Sequence, residues 1–390
     1  MFSPIHHTFG PLADRTQCLQ ALKLLLRGGR DRDIETFRTA LRKKFPRYSA
    51  HLFASGRESL LALLQSLQLT QGDEVIVQSY TCTVVANAIS AAGATPVYAD
   101  VDADTLNLSC ESVQKVLTDR TKAVICQHTF GIPAPALWLK ELCRSRHIFL
   151  IEDCAHLLPD DAGPKSVATE GDAVMLSFGR DKAISGVSGG AILVRDEALS
   201  GILRKKEASA TTLGRFMELR LMLYPLLYTI ARPIYGIGIG KALLVIAKKL
   251  GLLIPILTTK EKQGAMSASL HKIPAACAAL AHKQLLKLDA INNHRRKLTK
   301  YYLKEALESD WNIPDAIEDH LPLLKFPLFS KNAEGIRRQL KAKNIHLDDG
   351  WTGCVLEAES ILTLPTHPTM TLKQAMRLVL LLRPLLSKNA

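Results

Sequence analysis

Between Ala173 and Val194 the chain reads AVMLSFGRDKAISGVSGGAILV. An apolar, β-rich run stops at Ser177-Phe178, and a polar turn carries Lys182. A bend with Gly186, Gly189 and Gly190 follows, and a second apolar run leaves. Upstream, Phe149-Leu150-Ile151 is another short strand of buried type, ending on Glu152-Asp153 and followed by Cys154-Ala155-His156. In open α/β sheets functional groups collect at the carboxyl ends of the strands. Two successive strands here deliver an acid and a lysine to the same edge.

Strand-like and helix-like runs alternate through the first half. Strands are expected at His51–Phe53, Glu74–Gln78, Thr95–Asp102 and Ala123–His128, and helices at Ser59–Leu67, Val84–Ala92, Leu106–Leu117 and Leu137–Arg144. That alternation predicts an α/β fold with a mostly parallel, doubly wound sheet. Two further features sit at strand ends. Ala54-Ser55-Gly56-Arg57-Glu58 is a Ser-Gly turn entering a helix, and unpaired N–H groups with the helix dipole make such a place suited to phosphate. Gln127-His128-Thr129-Phe130-Gly131-Ile132-Pro133-Ala134 is a turn whose histidine reads first as structural.

A lysine and a carboxylate brought together suit pyridoxal phosphate: the amine holds the aldehyde, and the acid keeps the ring nitrogen protonated. The blocks Ser177-Phe178-Gly179-Arg180-Asp181-Lys182, Gly186-Val187-Ser188-Gly189-Gly190 and Ile151-Glu152-Asp153-Cys154-Ala155-His156 resemble those of the DegT/StrS-type sugar aminotransferases. These are fold-type I pyridoxal-phosphate enzymes. The resemblance implies a large cofactor domain and a smaller C-terminal α/β domain. It implies Lys182 as the cofactor lysine, Asp153 as partner of the ring nitrogen, His156 beside the ring and Ser177 on the phosphate. Gly56, Arg57 and Glu58 occupy the family's S-G-T-x-A-L block, with Arg57 where a threonine is usual. Cys82 stands where an aromatic residue usually stacks on the ring. The asparagine that relatives donate to a neighbouring subunit's phosphate has no counterpart in Leu270-His271-Lys272-Ile273-Pro274, while Gln284 to Ile291 matches Q-L-x-x-L-D-x-I. The implied activity is transfer of an amino group from glutamate to a keto group of a nucleotide-activated sugar, by a homodimer. The altered positions leave one alternative: an inactive scaffold of the same fold at a membrane surface.

The 390 residues, 47% of them apolar, provide for a large core and two lobes. The N-terminal MFSPIHHTFG has no signal-peptide pattern, and the eight cysteines show neither a C-x-x-C pair nor a metal-like spacing with histidine. The expectation is a reduced cytoplasmic protein without a metal site. Net charge is +13, and residues 204–262 hold eleven Lys or Arg against three Glu, a balance of +8. No nucleic-acid motif accompanies the excess. The expected organisation is a helical arm (1–49), a cofactor domain (50–203), an apolar basic insert (204–262), and a long helix with a small domain (263–390). The helical arm should break at Gly28-Gly29 and the long helix should run unbroken from Ala275 to Leu307. In the insert, Lys241 and Lys248-Lys249 recur about two turns apart between Ala, Leu, Val and Ile, giving a helix with a narrow polar stripe and a broad apolar face. That face either packs on the body or a second subunit, or lies on an anionic membrane surface at the inner face of the membrane.

Overall fold

The computed structural model describes residues 4–6, 14–348, 351 and 361–386. Seven strands form the central sheet: β1 (Ser49–Phe53), β2 (Glu74–Gln78), β3 (Thr95–Ala99), β4 (Thr121–Gln127), β5 (Phe149–Asp153), β6 (Ala173–Ser177) and β7 (Gly190–Val194), in the order β1-β7-β6-β5-β4-β2-β3. β2 pairs parallel with β3 and β4, β4 with β5, and β5 with β6. β7 runs antiparallel to both β6 and β1. Six strands therefore point one way, and the carboxyl ends of β1, β2, β4, β5 and β6 share one edge.

These strands are apolar on both sides because both sides are covered. Along β6, Val174 and Leu176 enter one core while Ala173 and Met175 enter the other, and β7 divides its residues likewise. The first core is closed by helices Asp31–Lys44 and Ala275–Leu285, the second by Gly56–Ser66. The N-terminal arm breaks at Gly28-Gly29, as its glycines predict, into helices Arg15–Arg27 and Asp31–Lys44.

Differences from the sequence reading are local. The expected helix 106–117 is a two-residue strand, Asn107–Leu108, then a helix at Cys110–Val116 that Ser109 caps through the Ser112 amide. The long helix is two, Ala275–Leu285 and Leu288–Glu308, and no glycine or proline marks the joint. The second of these leads to a small antiparallel pair, β8 (Lys325–Phe329) and β9 (Ile361–Pro365), and the helix Leu372–Leu386. Tyr302, Phe326, Leu364 and Leu378 lie in its own core. Between β7 and Ala275 lie helices Glu197–Ser209, which crosses the expected boundary at 203/204, and Arg215–Ala231, Ile239–Lys249 and Thr259–Lys262. Leu221, Met222 and Tyr224 of the second join the main core.

Candidate active site at the carboxyl edge of the sheet

Lys182 sits five residues beyond β6, half-buried, in a turn held by amide bonds from Lys182 to the Gly179 carbonyl (3.4 Å) and from Gly186 to that of Phe178 (2.9 Å). The bend after it is forced close to the helix Ala275–Leu285. A Cβ on Gly186 would meet the Cys277 carbonyl oxygen at 2.5 Å. Val187 carries the turn through φ 70°, a left-handed conformation rare for a β-branched residue.

His156, buried at the end of the β5 loop, places Nε2 3.2 Å from Lys182 Nζ. Its Nδ1 accepts the Phe130 amide (3.2 Å), so in the neutral ring the proton lies on Nε2 and faces the lysine amine. Phe130 reaches that position with φ 54°, so the aromatic turn holds the tautomer. The His156 ring is stacked with Phe130 and with Trp351, at 5.8 and 5.4 Å between centroids. Neither aromatic residue follows from a local motif; Trp351 arrives from the C-terminal part of the chain, ahead of β9.

Asp153 ends β5 with 3% of its surface exposed, and its Oδ1 accepts the Ala155 amide (2.9 Å). Burial pushes its carboxyl up, while the Ala155 amide, the Lys182 charge and His128 pull it back. The neighbouring Glu152 points to the opposite face and is saturated. Its Oε1 accepts the amides of Glu170 (2.7 Å) and Gly171 (2.6 Å), and Oε2 accepts that of Ala168 (2.8 Å) and His128 Nε2–H (3.1 Å). His128 Nδ1 takes the Ala134 amide (3.0 Å), which fixes that tautomer too. Burial raises the Glu152 carboxyl, but His128, Gly171 and Ala168 outweigh it and hold it below the usual carboxylate range. His128, Glu152 and Cys154 bring ligand-type atoms within 4.8 Å of one another. Their donors and acceptors are spent on this network, which makes His128 a structural residue.

At β1 the Ser-Gly turn behaves as an N-cap: Ser55 Oγ accepts the Glu58 amide (3.3 Å) at the start of Gly56–Ser66. Gly56 packs so closely on β6 that an added Cβ would lie 2.8 Å from both Cβ and Oγ of Ser177. Helix amides and the Ser177 hydroxyl thus share one small cradle. The side chains of the next two residues turn elsewhere. The Arg57 guanidinium bonds Glu261 and the Ile256 carbonyl (2.7 Å), so Arg57 can offer the cradle its amide. Glu58 Oε2 accepts the His271 amide (2.7 Å) and ties the helix to the segment before Ala275. Cys82, half-buried, is the N-cap of Thr83–Ala91 after β2, with its backbone extended.

Sequence reasoning missed Arg295. It is 1% exposed on Leu288–Glu308 and donates to the Lys182 carbonyl and to Asn292 Oδ1, both at 3.3 Å. No carboxylate is bonded to it among the described residues, and burial pulls its guanidinium down to about 9. The one local signal, an Arg-Arg pair in a basic helix, does not distinguish it from Arg296, which pairs with Asp160. A buried carboxylate, an amine, a helix-end cradle with a hydroxyl and stacked rings are the features pyridoxal phosphate requires, and the residues present fit it.

Comparison with known proteins agrees with this edge. Over 146 residues the chain is 36% identical to the GDP-perosamine synthase of Escherichia coli O157:H7, covering 37% of this chain and 40% of that protein. It is 33% identical over 145 residues to a UDP-N-acetyl-3-dehydro-α-D-glucosamine 3-aminotransferase of Acidithiobacillus ferrooxidans, covering 37% and 39%. The matched stretch thus spans about 40% of these relatives' length. Among solved structures, NtdA of Bacillus subtilis with bound cofactor PMP superposes with a TM-score of 0.75 at 16% identity, over 99% of this chain and 86% of that one, a likeness of fold. The DegT/DnrJ/EryC1/StrS aminotransferase family model matches residues 14–217, more than half of the 390, and the chain belongs to that family.

Proposed function

We propose that the protein is a pyridoxal-phosphate aminotransferase that moves an amino group, from glutamate, onto a keto group of a nucleotide-activated sugar. The observation that carries this is the meeting of Lys182, His156 and Asp153 at one sheet edge beside the Gly56–Ser177 cradle. The named relatives act on GDP- and UDP-linked sugars, which supports the substrate class.

Lys182 Nζ is the attachment point for the cofactor and the atom that moves a proton during amino transfer. The chemistry the cofactor supplies when bound is an electron sink that acidifies the carbon bearing the amino group. Asp153 is ionised to meet the ring nitrogen, its burial strengthening a contact with any cation. Ser177 and the first amides of Gly56–Ser66 hold the phosphate. His156 Nε2, 3.2 Å away, fixes the position of Lys182 Nζ, and the Phe130 and Trp351 rings hold His156 in place. Cys82 fills the ring-facing slot at the head of its helix. The same reading makes the protein a cytoplasmic homodimer, with 204–262 against the inner face of the membrane.

The test is spectroscopic. Purified protein given pyridoxal phosphate should develop a visible band, and borohydride should fix the cofactor at Lys182, located by peptide mass. Lys182→Ala should bind it reversibly and lose amino transfer. A wild-type protein that takes up no cofactor returns the chain to the inactive-scaffold alternative.

A further inference from the structure

The insert buries one side of its helices and leaves an apolar side outward. In Ile239–Lys249, Gly240, Leu244 and Ala247 face inward, and Gly240 comes so close to the preceding helix that a Cβ would lie 2.1 Å from the Ala231 carbonyl oxygen. The outward side of that helix carries Ile239 and Ile246, and Leu250 follows at its end, 67% exposed. These three are spaced by seven and four residues, one helical face, with exposed Lys249 beside it and exposed Lys241 and Lys248 on the far side of the helix. On Arg215–Ala231 the outward side carries exposed Phe216, Leu219 and Ile230 with half-buried Leu223 and Leu226 between them, spaced three, four, three and four. Of the twenty large apolar side chains exposed among the described residues, nine lie in 204–262, about a seventh of the chain. The neighbouring helix Arg15–Arg27, packed on Arg215–Ala231, adds Leu19, Leu22 and Leu26.

Three occupants are conceivable for such a face. The body leaves it open at Phe216, Leu219, Ile230, Ile239, Ile246 and Leu250, all exposed in the folded chain. A second copy on a two-fold axis would set a segment with a +8 balance against itself, Arg215 and Arg220 flanking the Phe216–Ile230 stripe on both partners. An anionic lipid surface answers both features, apolar contact and positive flanks. Neither helix can span a bilayer: they have 17 and 11 residues, against about 20 needed. We infer that helices Arg215–Ala231 and Ile239–Lys249 lie in the plane of an anionic membrane interface. Their apolar stripes are shallowly inserted and Lys241, Lys248 and Lys249 sit at the headgroups. On its inner side the first helix adjoins the site: Arg180, two residues before Lys182, stacks on Tyr224, 4.3 Å from its ring centre. This rests on the membrane half of the reading above and not on its chemistry.

Deleting the insert is the wrong test, because Leu221, Met222 and Tyr224 belong to the main core. Exposed positions are altered instead. Full-length protein is co-sedimented with vesicles of phosphatidylcholine alone or with about 30 mol% phosphatidylserine, on the order of an anionic cytoplasmic leaflet. Binding should need the anionic lipid and fall steeply as salt is raised. The variant Lys241→Glu/Lys248→Glu/Lys249→Glu should lose binding by on the order of a hundredfold or more. Phe216→Ser/Ile246→Ser/Leu250→Ser should lose binding while keeping a wild-type thermal transition and the pyridoxal-phosphate band. Absence of binding at low salt, or equal binding to neutral vesicles, overturns the inference. So does a serine variant that changes the sedimentation state and not vesicle binding, which assigns the face to a second copy. The band reports the aminotransferase reading separately.

Discussion

Glu152→Gln perturbs the acid that anchors β5 beside Asp153. The carboxylate accepts four hydrogen bonds, two on each oxygen. A glutamine keeps one acceptor oxygen and turns the other position into a donor. If its oxygen serves Glu170 and Gly171, its amide nitrogen faces the Ala168 N–H and His128 Nε2. His128 cannot switch tautomer to accept, because its Nδ1 already takes the Ala134 amide. With the amide turned over, the Glu170 and Gly171 bonds are lost instead. Either way two bonds to a charged acceptor go, at roughly 1.5–3 kcal/mol each, and a buried donor is left facing a donor. The charge no longer has to be desolvated, which offsets part, so about 3 kcal/mol should be lost at pH 7 from a total of roughly 5–15. Urea denaturation followed by tryptophan fluorescence measures it. The pH dependence is a second check. The folded Glu152 carboxyl lies below its unfolded value, so its stabilisation is complete above about pH 4.5 and is lost as pH falls through the folded value. Wild type and variant should therefore converge in acid. A loss under about 1 kcal/mol at pH 7, or a difference that does not shrink in acid, would refute the claim that the carboxylate holds this network.

Asp153→Asn should raise the stability of the cofactor-free protein above about pH 4, since burial raises the folded carboxyl and its ionised form then costs stability; the same variant should fail the half-reaction with glutamate. A cofactor-free melting temperature below wild type would contradict this. Gly56→Ala, with its methyl 2.8 Å from Ser177, should cost about 1–3 kcal/mol and weaken cofactor affinity severalfold; unchanged affinity by fluorescence titration would remove the cradle from the phosphate site. Arg295→Met should be neutral or stabilising at pH 7, because a buried cation without a bonded carboxylate is replaced by an apolar chain of similar length. A loss above about 2 kcal/mol in denaturation would mean that its bond to the Lys182 carbonyl outweighs the desolvation cost.

What the sequence determined is what local chemistry and short periods encode. Apolar runs of five or so residues ending on Asp153 and Ser177 announced the sheet and its functional edge. Ser55-Gly56 announced a capped helix start, and Gly28-Gly29 a break. Each depends on neighbours a few residues away, so one sequence suffices. The rest is decided by side chains meeting across long separations. Trp351 on His156, Arg295 on Lys182 and Arg57 on Glu261 join residues 195, 113 and 204 apart, and no spacing rule links them. Glu152 is anchored largely by backbone amides, which carry no residue identity to read. The insert shows the same division. Its charge and apolar runs were legible, but which apolar side chains the body covers was settled when Gly240, Leu244 and Ala247 packed inward and left Ile239, Ile246 and Leu250 outside. Burial is a property of the folded surface and not of the segment, since it depends on what the rest of the chain places there.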